Sequence, residues 1–147
     1  MGLDACVNCR CWQDGHARRP PFDPALLVFT GGLVDIAPEH ADDGRLYAAY
    51  WEWRRDACPH VNMEHASEAI ANWPDYRAFT AALARAGDFS TLTSELPRGN
   101  SGTTPAAAAA TALEELAVSP SGHEPTVAAL IRVFRASRET GNPVVWL

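Results

Sequence analysis

A chain of 147 residues with 47% hydrophobic side chains can bury a core without disulfides, and its length reads as a single domain, residues 1–147. Its 12 basic and 18 acidic residues give a net charge of −6, which argues against non-specific nucleic-acid binding and against attraction to an anionic membrane. All 12 basic residues are Arg, which together with the heavy use of Ala reads as the coding bias of a GC-rich genome rather than as phosphate recognition.

No stretch approaches the roughly 20 apolar residues of a membrane span. Met1 to Cys11 has no basic lead and no long apolar run, so no signal peptide is expected and the chain reads as cytoplasmic. In a reducing compartment, clustered cysteines are more often metal ligands or redox groups than structural disulfides. The cysteines are Cys6, Cys9, Cys11 and Cys58.

In chain order, Gly2 to Cys11 alternates at period 2 and predicts a strand. Leu3, Ala5, Val7, Cys9 and Cys11 share one face of it, and Cys6 lies on the other. Asp14-Gly15 is a turn signal, and His16 to Pro24 reads as an extended loop. Leu26 to Thr30 predicts a short strand, broken by Gly31-Gly32, with Leu33 to Ile36 as its hairpin partner. Pro38 to Gly44 is an acidic loop.

From Arg45 the period becomes helical, with Leu46, Ala49, Tyr50, Trp53 and Ala57 recurring until Pro59. A second short helix is expected from Val61 to Trp73, and a third from Pro74 to Ala86, ended by Gly87. Phe89 to Leu96 reads as a short helix with Ser90 as cap. After the loop Pro97 to Pro105, Thr104 and Pro105 are expected to cap and open an Ala-rich helix to Val118. Pro125 to Thr140 is the clearest amphipathic helix, with Val127, Leu130, Ile131 and Phe134 on one face and Gly141 as its stop. Val144 to Leu147 predicts a terminal strand beside the first. The fold class is α+β: a small N-terminal sheet joined by the C-terminal strand and covered by five or six helices.

The strongest chemical feature is a pair of short chelating motifs, Cys6-x-x-Cys9-x-Cys11 and Cys58-Pro59-His60, with His65 five residues further on. Zinc takes four soft or borderline ligands in a tetrahedron. Two such pairs from distant parts of the chain can supply all four, and Cys9, Cys11, Cys58 and His60 form the preferred set, with Cys6 and His65 as substitutes. A thiolate-rich set favours zinc, with iron and copper(I) as alternatives. Against this, the spacing matches no standard zinc finger, and free cysteines are often small core residues. Thiol redox chemistry through Cys6-x-x-Cys9 is the weaker reading, because no helix N-terminus is predicted there to lower a thiol pKa.

His60 to His65 contains neither H-E-x-x-H nor H-x-x-E-H. On a helix Glu64 would share a face with His60 and could act as base toward a metal-bound water. A solvated acidic face near a helix N-terminus is the preferred reading of Glu64 and Glu68. Tyr50 and Trp53 are expected in the core, with Tyr47 and Trp51 further around the helix as packing residues or partner anchors. Arg54-Arg55, flanked by acids, reads as salt-bridged surface. No G-x-S-x-G, P-loop or G-x-G-x-x-G is present.

The opening M-G-L-D with Val7-x-Cys9-x-Cys11, the later Ala57-Cys58-x-His60 and the Gly141 to Leu147 ending resemble a group of short bacterial proteins without an assigned activity. The resemblance covers about the first half of the chain plus that ending. It implies that Cys9, Cys11, Cys58, His60 and His65 belong together and leaves Cys6 outside the pattern. By analogy of size and acidity, such proteins include toxin-immunity and defence-associated ones. Two functional readings follow. One is a metal-stabilised module that meets a protein partner through the acidic 39–43 loop or the Trp-rich helix. The other is an enzyme, with an open metal position beside Glu64 or His65, or with Cys58 as nucleophile. Neither nucleic acid nor membrane is an expected partner, and the sequence leaves the oligomeric state open.

Overall fold

The computed structural model describes residues 1–147 and divides them into two compact units. One contains Met1–Val7 with Ala66–Leu147, and the other contains Asn8–His65. The fold is α+β, as the sequence predicts.

The larger unit is built on a four-stranded sheet in the order β4-β1-β6-β5. Its strands are β1 (Gly2–Asn8), β4 (Glu64–Asn72), β5 (Thr103–Thr104) and β6 (Val144–Trp146). The terminal strand pairs antiparallel with the first, Ala5 facing Trp146 and Val7 facing Val144. Leu3, Ala5 and Val7 point into a core shared with Leu83, Leu92, Leu116, Leu130, Val133 and Phe134. Gly2 sits so close to β4 that a Cβ there would collide with the Ala71 carbonyl, so the strand can begin there only with glycine.

Four helices belong to this unit: α2 (Trp73–Ala86), α3 (Ser90–Glu95), α4 (Ala109–Ala117) and α5 (Glu124–Thr140). Asn72 caps α2 through a 2.9 Å bond from the Asp75 backbone N–H, and Gly87 ends it in the left-handed conformation. Gly141 ends α5 in the same way. Ser90 is the first residue of α3 and provides no cap. The Glu115 carboxylate instead accepts from the backbone N–H groups of Thr91 and Leu92, at 2.9 and 2.8 Å. Thr104 does not cap the Ala-rich helix either. It lies in β5, its hydroxyl donates to the Glu95 carbonyl, and α4 begins at Ala109 after a 3-10 turn.

The helix expected over Val61 to Trp73 is absent. A 3-10 turn at Val61–Met63 leads into β4, whose exposure alternates along the strand. Asn62 and Met63 have φ of 55° and 57°, which ends helical propagation at that point. The alanines of β4 fit a helix and a strand equally, and pairing with β1 in the sheet decides the outcome.

The smaller unit holds a two-stranded hairpin, β2 (Leu27–Thr30) and β3 (Leu33–Ile36), paired Leu27 to Ile36 and Thr30 to Leu33. It also holds α1 (Gly44–Asp56), capped by Asp43, whose carboxylate accepts from the Arg45 and Leu46 N–H groups. Val34, Ile36, Leu46, Tyr50, Trp53, Ala57 and Met63 make its core together with Cys9 and Cys11.

Candidate metal centre

The site lies wholly within the smaller unit. Strand β1 ends at Asn8, so Cys9 and Cys11 occupy the following turn rather than the strand that alternation predicts. In that turn the Cys11 carbonyl accepts from the N–H groups of His16 and Ala17, at 2.7 and 3.1 Å. Cys58 and His60 come from the irregular corner between α1 and the 3-10 turn, where Pro59 blocks helix continuation. Two backbone hydrogen bonds clamp the turn to the corner. Cys9 N–H donates to the Met63 carbonyl at 2.8 Å, and Arg18 N–H donates to the Ala57 carbonyl at 2.7 Å.

This framework gathers Cys9, Cys11, Cys58 and His60 into one group whose ligand atoms all lie within 4.8 Å of one another, and that group can hold a metal ion. The Cys9 and Cys58 sulfurs are 3.7 Å apart. His60 Nδ1 lies 3.4 Å from the Cys11 sulfur and 3.9 Å from the Cys58 sulfur. A tetrahedral zinc with its usual bond lengths has sulfur–sulfur edges of about 3.8 Å and sulfur–nitrogen edges of about 3.6 Å. The donor atoms therefore already stand close to the corners of such a tetrahedron. None of the cysteines is in a disulfide.

Burial pushes the Cys9 thiol above its ordinary pKa, and the N–H of Cys11 pulls it partly back. Burial and the neighbouring Cys58 sulfur push Cys11 up to about 12. Three sulfurs packed this closely cannot all carry charge without a cation between them.

The buried cation nearby is Arg54, only 5% exposed and therefore not the surface residue expected from its acidic flanks. Its guanidinium donates to the Asn62 carbonyl at 2.9 Å, the Val34 carbonyl at 3.1 Å, the Tyr50 hydroxyl at 2.8 Å and Asn8 Oδ1 at 2.7 Å. All of these acceptors are neutral. Asn8 precedes Cys9, and Asn62 follows His60 by two positions, so one side chain braces both segments that carry ligands. Sequence reading missed this residue. Its only trace is helical phase, since Arg54 follows Tyr50 by one turn on the same face.

The remaining candidates fall outside the group. The His65 ring centroid lies 5.5 Å from that of His60, beside the site but not among its ligands. Cys6 lies within β1, opposite Val145, and is not a member. Glu64 opens a strand, so it does not share a helical face with His60 as expected. It is not in the group.

Tyr50 and Trp53 are buried as expected; the Tyr50 hydroxyl donates to the Val34 carbonyl, and the Trp53 indole donates to the Arg18 carbonyl. Tyr47 and Trp51 are 39% and 49% exposed. No helix of the protein is long and apolar enough to cross a membrane. Comparison with protein-family models, with curated proteins and with solved structures gives no match for this chain.

Proposed function

We propose that the chain is a small zinc protein of the bacterial cytoplasm, in which a closed Cys3His site holds the smaller unit in shape for binding a protein partner. The observation that carries this reading is the four-membered donor set, Cys9, Cys11, Cys58 and His60, with all ligand atoms within 4.8 Å of one another. Four protein ligands fill a tetrahedron, whereas catalytic zinc sites keep three and leave a position for water. Three thiolates on a divalent ion leave one net negative charge, and the buried Arg54, hydrogen-bonded to the residue before Cys9, offsets it. The partner surface in this reading is the exposed side of α1, where the Tyr47 and Trp51 rings meet edge to face, their centroids 6.3 Å apart. An immunity-type role is the analogy that size and acidity suggest.

An enzymatic reading draws on the His65 ring beside His60 and on Cys58, the one ligand cysteine that is not fully buried. Cobalt(II) substitution separates the two. A closed Cys3His site gives intense tetrahedral d–d bands and sulfur-to-cobalt charge transfer that azide and cyanide leave unchanged. A site with an open position gives bands that shift on adding either anion, and that shift overturns the structural reading.

A further inference from the structure

A cavity of about 440 Å³ opens between α2, α3 and the loop that follows α3. It lies in the larger unit and is independent of the metal site. Its floor is apolar, with Leu83, Leu92 and Leu96 buried beneath the edge-on pair Trp73 and Tyr76, whose centroids are 5.7 Å apart. The Tyr76 hydroxyl donates to the Pro97 carbonyl at 2.7 Å, which fixes the loop against α2 and keeps the hydroxyl turned to the protein.

The charged part of the lining has one sign. Arg77 and Arg98 are in it, and no Asp or Glu is, on a chain with an acidic excess of six charges. Both side chains are exposed, and neither belongs to the ion pairs Arg10–Asp14, Arg18–Asp56 or Arg132–Glu68. A volume in the range of small-molecule sites, an aromatic and aliphatic floor, and two exposed arginines in the lining suit a ligand with two chemically different ends. We infer that this cavity binds a small amphipathic anion, with a flat or aliphatic apolar body on the Trp73–Leu92 floor and a carboxylate or phosphate head between Arg77 and Arg98. Guanidinium groups pair with either head through two parallel hydrogen bonds, so the head is set by charge and planarity rather than by one oxygen count.

The test is titration of the full-length protein, followed by NMR of the Trp73 indole N–H, assigned with Trp73→Phe. The probes are naphthalene-2-carboxylate, octanoate and phenyl phosphate, with the neutral 2-naphthamide as the isosteric control. At least one anion is expected to shift the Trp73 signal saturably, and 2-naphthamide to bind about tenfold more weakly or worse than naphthalene-2-carboxylate. Phenyl phosphate against benzoate, which carries the same ring, assigns the head group. The variants Arg77→Gln and Arg98→Gln, singly and together, change exposed side chains and leave the fold intact; each is expected to cost most of the anion preference. No saturable shift with any of the three anions, equal binding of the amide, or undiminished preference in the double variant overturns the inference.

Discussion

The Arg54 guanidinium donates to Asn8 Oδ1 at 2.7 Å, from the last turn of α1 to the residue immediately before the first metal-ligand candidate. The same side chain reaches the Asn62 carbonyl in the segment after His60. Removing it would take the Arg54 donor away from both acceptors and free both ligand segments. Arg54→Met is expected to weaken zinc binding by about 10- to 100-fold, read by competition with a chromophoric chelator. Arg54→Lys should not restore it, because a single ammonium cannot match the fork of the guanidinium. Unchanged zinc affinity in Arg54→Met would show that the ligands are held without it.

Two tryptophans on one helix should behave oppositely. Trp53 is buried and hydrogen-bonded to the Arg18 carbonyl, so Trp53→Ala should cost about 3–5 kcal/mol in stability. Trp51 is half exposed, with its ring 5.6 Å from the Arg54 guanidinium carbon, and Trp51→Ala should cost less than about 1 kcal/mol. Denaturant melts of both variants check this. A large loss in Trp51→Ala would make it a structural residue and remove it from the partner surface.

The raised thiols predict opposite pH trends with and without metal. In the metal-free protein Cys11 keeps its proton up to about 12, against 9.0 for an ordinary thiol. The folded state then holds a proton that the unfolded chain releases, so this contribution is complete below pH 9.0 and fades as pH rises toward 12. Burial raises Tyr76 and Tyr50 in the same sense, so the readout is the difference between wild type and Cys11→Ser. Chelator-treated wild type should lose more stability between pH 9 and 11 than Cys11→Ser. Equal slopes would contradict the assignment. With zinc bound, the sign reverses: ligation requires thiolates, and stability should fall as acid protonates them.

The backbone at Asn62 offers a test of the corner itself. Asn62 adopts φ 55°, a region that Asn and Gly tolerate and β-branched residues do not. Asn62→Gly should melt within a few degrees of wild type, whereas Asn62→Val should lose about 1–2 kcal/mol and bind zinc more weakly. Indistinguishable melting of the two would mean that the corner relaxes without cost.

The parts of this molecule that follow from local chemistry are legible in its sequence. Gly87, Pro125 and Gly141 mark helix ends, Gly31-Gly32 marks the hairpin, and the apolar ending pairs with the opening strand. Cys9, Cys11, Cys58 and His60 stand out because residues of those types are rare and closely spaced. What the sequence hides is set by tertiary structure. Glu64 to Asn72 has alanines compatible with either a helix or a strand, and only the sheet decides. Ser90 resembles a cap, but Glu115 from another helix does the capping. Arg54 resembles a surface charge because its acceptors, Asn8, Val34, Tyr50 and Asn62, are scattered along the chain and neutral. Nothing in the spacing of Trp73 and Leu92 announces a cavity lined by both.

The most direct measurement is metal content by elemental analysis, with thiol titration of the same untagged protein, purified without chelator. About one zinc per chain is expected. Cys9, Cys11 and Cys58 should be shielded from the thiol reagent until chelator is added, and the zinc should be lost in both Cys11→Ser and Cys58→Ser. A protein free of metal after zinc reconstitution, with these thiols titrating at once, would contradict the account and return the three cysteines to the core of the smaller unit.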